Sequence, residues 1–328
     1  HYKKISVFLF IFLFLFIVLK IKLFNSNINE SKKQSIIIKD KNKDKNSMMM
    51  MMQSMNDTVL LEKFLGDLDA KSQFQKLIST EILLKTLRFM IQEVDEYDPT
   101  LIQFVRSLIR SPSHRSQINL SNKTIQNFSQ QNQSSKIDDM LGHQRSGFFV
   151  EAGGCDGEVQ SNTIFFELQR EWSGLLIEPM PHFYRSLVDK KRHVYSINAC
   201  IADHKPFVAK LLVLDLMSGF ESEMSAYRAF RLGMMHIEPQ YVYVPCFSFN
   251  TIMSALNRSV IDYFSLDVEG AELRILKTID FRKLTIRSFS IEWFTKNETK
   301  EALRELLEQN GYSLRQEDYS DFYFTKNV

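Results

Sequence analysis

The sequence predicts an α/β fold, a mostly parallel, doubly wound sheet that finishes in antiparallel strands. Three observations predict it. From Gly147 onward short apolar runs alternate with helical segments, the pattern of a parallel sheet covered on both faces. Two of those runs end in turns that combine acids with glycine, Glu151 to Gly157 and Asp267 to Glu272. The tail, Tyr312 to Phe324, reads as two short strands after Gly311, a glycine placed where a helix C-cap belongs.

Composition sets the outer bounds. The 328 residues carry 41 Lys plus Arg against 39 Asp plus Glu, and 44% are hydrophobic. Wholesale disorder, collagen and a multi-span membrane protein are excluded by such values. The near balance leaves no basic footprint for nucleic acid. The charge is nevertheless uneven: net +6 over residues 1–57, zero over 58–142 and −4 over 143–328.

The elements follow in order. Ile5 to Leu19 is uncharged and almost wholly apolar, and snorkelling Lys20 and Lys22 extend the span to Phe24. Residues 1–24 are therefore expected to form a transmembrane signal anchor. A cleaved signal peptide is the alternative, although no small-x-small cleavage site follows. Lys20, Lys22, Lys32 and Lys33 after the span would hold the C-terminal side in the cytoplasm. Eight Asn-x-Ser/Thr sequons, at Asn29, Asn56, Asn119, Asn122, Asn127, Asn132, Asn257 and Asn297, point the other way. Chance predicts roughly two, and the excess favours a lumenal C-terminal part.

Residues 25–57 are rich in Asn, Lys and Ser and include Met48 to Met52, which reads as a disordered stem. Residues 58–112 form a helical lead-in. Leu77, Ile78, Ile82, Leu83, Leu87, Met90 and Ile91 recur at helical spacing. Asp98 can cap a second helix with Pro99 at its first position. Residues 113–142 are polar and lack periodicity, so a flexible linker is expected. In the domain from 143 to 328, strands are expected at Phe148 to Val150, Gly174 to Ile177, Val194 to Ile201, Ile261 to Leu266 and Ser288 to Ile291. Helices are expected over Thr163 to Arg170, Pro181 to Lys190, Ala271 to Thr278 and Lys300 to Asn310.

Chemistry concentrates at the strand ends. Glu151, Gly153 and Gly157 give an acid-x-Gly-x-x-x-Gly turn, where glycine allows positive φ and close ligand approach. It is neither a dinucleotide fingerprint nor a P-loop. Glu178 follows Gly174-Leu175-Leu176-Ile177 about 20 residues later, the interval from a glycine turn to a ribose-binding acid. A solvated loop glutamate is the bland alternative. Asp267 and Glu269 stand at a strand end before Gly270, placed to orient an acceptor or take a proton. Helix N-terminal roles for Glu269 and Glu272 compete with that reading. Glu292 is a further acid on the same rim. Cys200 and Cys246 end the apolar runs INAC and VYVPC. They either pair, in a lumenal setting, or stay buried and reduced. No metal-ligand spacing links the histidines and cysteines, so no metal is expected.

Taken together, FVEAGGCDGE, Ser161 to Thr163, GLLIEP, NAC and YFSLDVEGAE resemble the FkbM-type methyltransferase domain over about residues 146–326. The resemblance implies a Rossmann-like class I methyltransferase fold that uses S-adenosylmethionine, usually for O-methyl transfer. It implies that Glu151, Gly153 and Gly157 line the methionine and ribose end of the cofactor. Glu178 would accept from the ribose hydroxyls, and Asp203 would lie near the adenine. Asp267 and Glu269 would face the methyl group or its acceptor. Where the family tends to carry Thr-Leu-Asp-Asp, this chain has Ser248-Phe249-Asn250-Thr251. Asp98-Pro99-Thr100-Leu101-Ile102, with Val105-Arg106, Asn119-Leu120-Ser121 and GFFVEAG, resembles the animal Star-like family. That likeness implies one N-terminal membrane span and a role in moving growth-factor ligands through endoplasmic reticulum, Golgi and endosome. The expected partners are thus a membrane, and either a small-molecule or glycan acceptor or a transmembrane growth-factor-like client. The expected activity is methyl transfer, with a catalytically weak trafficking factor as the alternative.

Overall fold

The computed structural model describes residues 54–57, 59–60, 77–112, 117–121, 129–216, 218–220, 239–293 and 297–327. The chain divides between Asn56 and Asp57, and every element below lies in the second part. The expected anchor and all of the stem before Ser54 lie outside the described residues. Among the described residues no helix is long and apolar enough to cross a membrane.

The lead-in supplies α1 (Thr80–Ile91) and α2 (Pro99–Leu108). Asp98 caps α2 as its sequence predicts: Oδ1 accepts from the Thr100 and Leu101 amides at 2.7 and 3.2 Å, and Pro99 needs no amide partner at the first position. Phe89, Leu101, Phe104 and Val105 from these helices sit in the main hydrophobic core. The expected linker is in part folded. Residues 133–140 form α3 (Gln133–Met140), held by Ile137 in the core and by Asp138, whose carboxylate takes two hydrogen bonds from Arg170. One buried apolar residue gives no periodicity, which is why the sequence pattern reads as linker.

The main domain then runs β1 (Phe148–Ala152), α4 (Ile164–Arg170), β2 (Ser173–Ile177), α5 (Pro181–Asp189) and β3 (Tyr195–Ile197). The expected strand from Val194 to Ile201 breaks in two. Asn198 turns its amide onto the Glu178 and Pro179 carbonyls at 2.7 and 3.0 Å, and the chain leaves for a second sheet. That sheet holds β4 (Cys200–Ala202), β5 (Phe207–Val213), β6 (Gly219–Phe220) and β7 (Gln240–Ser248) in the order β4-β7-β5-β6. Cys200 and Cys246 are register partners on β4 and β7, 4.4 Å apart at Cα, and form a disulfide. The chain returns through α6 (Phe249–Ala255), β8 (Val260–Leu266), α7 (Glu272–Leu276), β9 (Thr285–Glu292), α8 (Asn297–Gln309), β10 (Tyr312–Glu317) and β11 (Asp321–Lys326).

The main sheet has the order β3-β2-β1-β8-β9-β11-β10, with β11 antiparallel to both neighbours. This is the expected α/β class I methyltransferase arrangement. Its strands alternate between two cores, as period two dictates. Phe148, Val150, Leu175, Ile177, Phe264 and Leu266 face the larger core. Phe149, Leu176 and Tyr263 face the smaller one with Phe166 and Trp172. From β1 the chain winds out to β3 and returns on the other side at β8, so β1 and β8 flank the switch point where open α/β sheets bind ligands.

Candidate active site

A cavity of about 430 Å³ opens at the carboxyl ends of β1, β2 and β8. Its floor is built by the glycine turn. Gly153 adopts φ +88°, and a Cβ there would lie 2.0 Å from the Asp267 carbonyl oxygen. Only glycine lets the ends of β1 and β8 come this close. The Gly153 and Gly154 amides both donate to the Ile177 carbonyl, at 3.0 and 3.1 Å, which locks the turn to β2.

Glu178, just past β2, lines the cavity at 4% exposure. One carboxylate oxygen accepts from the Cys155 amide at 2.8 Å and the other from the Met180 amide at 2.7 Å. Each oxygen keeps lone-pair capacity for another donor. Burial pushes its carboxyl up to about 8, and among the described residues of the lining there is no Lys, Arg or His to oppose it. The Cys155 thiol is pushed up to about 12, by burial first and then by Glu178. That makes it an inert wall group rather than a nucleophile.

Glu151 also lines the cavity, but its carboxylate is committed inward. It accepts from Ser161 Oγ at 2.9 Å, the Asn162 amide at 2.6 Å and Thr163 Oγ1 at 2.6 Å. Arg192 stands 3.8 Å away, its side chain 1% exposed, and donates to Ser161 Oγ, Thr163 Oγ1 and the Gly157 carbonyl. Glu151 and Arg192 therefore hold the Ser161–Thr163 loop in place. Burial raises the Glu151 carboxyl, against the pull of Arg192.

Asp267, Glu269 and Glu292 converge on the rim, with carboxylate oxygens all within 4.8 Å of one another. Such oxygen ligands suit a hard cation; in a second cluster outside the cavity lining, Asp138, Asp139 and His143, both Asp138 oxygens are already taken by Arg170. Burial pushes Asp267 up to about 6. Burial, then the negative charges of Asp267, Glu272 and Glu269, drives Glu292 far above the ordinary carboxylate range. Near neutral pH the pair therefore shares a proton, with Glu292 as donor and Asp267 as acceptor. Glu272 takes the helix N-terminal role instead: Oε1 accepts from the Val268 and Gly270 amides at 2.9 and 3.2 Å. Glu269, at φ +61°, lines the cavity.

Two expected residues lie elsewhere. Asp203 is not in the lining; its side chain is half exposed and pairs with Arg274 at 2.7 Å, drawn outward by that charge. Gly157 is also outside the lining. Its φ is +79°, and a Cβ would meet Leu187 of α5 at 3.1 Å, so it serves turn packing. The wall formed by Leu211, Leu216 and Phe220 was not legible in the sequence, because it comes from β5 and β6 of the second sheet and the turn between them. Arg192 carries no motif that would have found it. The Ser248-Phe249-Asn250-Thr251 stretch lies off the cavity: Asn250 and Thr251 bond Glu96 of the lead-in at 3.0 and 2.7 Å.

A family model described as methyltransferase FkbM domain matches residues 151–314. No curated protein matches the sequence. Among solved structures, precorrin-6y C5,15-methyltransferase from Geobacter metallireducens is 14% identical at TM-score 0.34, covering 64% of this chain and 94% of that one. The 1,6-didemethyltoxoflavin-N1-methyltransferase of Burkholderia thailandensis, bound to S-adenosylhomocysteine, is 11% identical at TM-score 0.31, covering 60% and 78%. Aeropyrum pernix fibrillarin with bound S-adenosyl-L-methionine is 12% identical at TM-score 0.28, covering 56% and 67%.

S-adenosylmethionine fits the donor set. Glu178 has acceptor capacity to spare at the end of β2, where ribose hydroxyls are held in such sheets. Among the described residues that line the cavity none is Lys, Arg or His, and Asp267, ionised above about 6, offers negative charge that suits a cationic sulfonium.

Proposed function

The chain belongs to the methyltransferase FkbM domain family, whose cofactor is S-adenosylmethionine, and on that premise we propose that it methylates a hydroxyl oxygen at the Asp267 rim. The observation that carries this reading is the convergence of Glu178, Gly153 and Asp267 on one cavity at the sheet's switch point. When bound, the cofactor supplies an electrophilic methyl group on a sulfonium sulfur. Glu178 holds the ribose end. Asp267 would accept the proton of the acceptor hydroxyl as that oxygen takes up the methyl group. Glu292 keeps its own proton and steadies the Asp267 carboxylate, and Glu269 orients the acceptor. Departure from Thr-Leu-Asp-Asp leaves this machinery intact, since Asn250 and Thr251 serve the lead-in contact.

Calorimetry of the full chain with S-adenosylmethionine tests the reading. Binding that is lost in Glu178→Ala and kept in Asp267→Ala is the expected result. A folded chain that takes up no cofactor at millimolar concentration would sink it.

The chain is further proposed to be anchored by residues 1–24, with its domain in the lumen of the secretory pathway. The Cys200–Cys246 pair and the exposed sequon asparagines Asn119 and Asn257 support this. A second reading, a Star-like trafficking factor that binds a growth-factor-like client without turnover, is favoured by one observation. Both Glu151 oxygens are spent on the Ser161–Thr163 loop, leaving that acid committed to structure. The same calorimetry, followed by a methyl-transfer assay, separates the two.

A further inference from the structure

We propose that the acceptor is a neutral, polyhydroxylated ring, the chemistry of an uncharged sugar; this rests on the hydroxyl-methylation reading above. Charge narrows the choice first. The described lining holds Glu151, Glu178, Asp215, Asp267, Glu269 and Glu292 and not one basic side chain. Glu178 and Glu292 hold protons near neutral pH and Glu151 already faces Arg192, yet a phosphate or carboxylate on the acceptor would still meet the ionised Asp267 with no basic side chain of the described lining to pair it. An amine fares no better as a nucleophile. Asp267, ionised above about 6, favours its ammonium form, which has no lone pair to attack with. A hydroxyl meets neither obstacle and finds its proton acceptor in Asp267.

The rest of the wall narrows it further. Gln130, Gln131 and Gln160 line the cavity beside Ser320. Their loops are tied together: Ser129 bridges to Gln160, and Gln131 Nε2 donates to Ser320 Oγ at 3.0 Å. Planar amides and carboxyls offer paired donors and acceptors, which match adjacent hydroxyls on a ring. Three apolar side chains on the same lining stand well out in solvent: Val159 is 52% exposed, Leu216 45% and Tyr319 78%. Most of the large apolar side chains of this domain are buried, so exposed ones gathered on one cavity point to a ligand with an apolar face. A pyranose has both features, hydroxyls around its edge and C–H bonds on its face, and Tyr319 gives that face a ring to lie against.

The test is ligand binding, read by calorimetry and saturation-transfer NMR on the full chain loaded with S-adenosylhomocysteine. The probes are neutral methyl hexosides, with the uronic acid, sugar phosphate and amino sugar of the same rings. The expected result is that a neutral glycoside binds at least about tenfold tighter than its charged counterparts. Tyr319→Ala, an exposed position, should weaken that binding about tenfold through the lost aromatic face and leave cofactor affinity unchanged. A uronate, phosphate or amino sugar that binds as well as the neutral ring overturns the inference. So does a chain that takes up cofactor but no glycoside at tens of millimolar. Loss of cofactor binding itself strikes the hydroxyl-methylation reading instead, so the two failures are told apart.

Discussion

Replacing Glu178 with Gln keeps the shape of a side chain that is 4% exposed and changes only its charge and one acceptor. In the wild type both oxygens accept backbone amides, from Cys155 and Met180. The Gln side chain can accept only one of them, and its NH₂ then faces a donor. Cofactor binding also loses a hydrogen bond to a charged acceptor, which contributes about 1.5–3 kcal/mol. Affinity should fall by roughly 10- to 150-fold. The pH dependence is the sharper signature. Burial raises the Glu178 carboxyl to about 8, and ribose hydroxyls favour its ionised form. Cofactor affinity of the wild type should therefore rise as pH increases from 6 to 9, with a proton released on binding, while the Gln variant stays flat. Stability of the cofactor-free protein runs the other way. The folded carboxyl keeps a proton that the unfolded chain gives up above its ordinary value of 4.5. Its contribution is thus present at low pH and lost as pH rises through about 8. At about 1.4 kcal/mol per pH unit, the wild type should lose roughly 2 kcal/mol more than Glu178→Gln between pH 6 and 8. Calorimetric titrations and urea unfolding at four pH values measure both. A wild-type affinity indifferent to pH, with a Gln variant that binds within about threefold, would refute the ribose role.

Three further outcomes are expected. Reducing or deleting the Cys200–Cys246 bridge, which closes a separation of 46 residues, should cost about 4 kcal/mol by loop entropy, read as a lower denaturant midpoint; three free thiols by mass spectrometry in the untreated native chain, rather than Cys155 alone, would contradict this. Asp267→Asn should slow methyl transfer by about 10²–10⁴-fold with cofactor affinity preserved, and the wild-type rate should climb as pH rises through about 6, where Asp267 loses its proton. Endoglycosidase should shift the mobility of chain expressed in a secretory system, with one increment lost in Asn257→Gln; no shift at any sequon rules out the lumenal placement.

The central sheet was legible because its strands are buried on both faces and so read as apolar runs. Phe148 to Ala152 and Ile261 to Leu266 are wholly buried. The acids that matter were legible for a related reason: Glu178 and Asp267 interrupt such runs where the strands end. The second sheet was not, since β5 and β7 carry mixed patterns and meet only through a long-range antiparallel pairing. Helix α3 escaped because its ties are polar and distant in sequence. Ser134 reaches the Asn162 carbonyl at 3.0 Å, and Gln133 approaches Asp321 at 3.4 Å. Asp203 misled because a strand-end acid in sequence says nothing about which way its side chain turns, and here Arg274 decides it.

The lead-in changes what counts as the catalytic unit. The family match starts at residue 151, yet Leu101 and Val105 of α2 are fully buried in the main core. Arg106 donates to the Ala255 carbonyl at 2.7 Å, and Glu96 bonds Asn250 and Thr251 on α6. Helix α6 follows β7, the strand that bears Cys246, and Cys200 opposite it lines the cavity. Lead-in, α6, β7, β4 and cavity wall therefore form one continuous packed path. A fragment beginning at residue 143 exposes the α2-facing side of that core and gives up the burial of Phe89, Leu101, Phe104 and Val105, at about 1.5–3 kcal/mol each. That loss is comparable with the whole stability of an ordinary domain. Asn250 and Thr251 thus tie the lead-in to α6, and through β7 and β4 to the cavity wall.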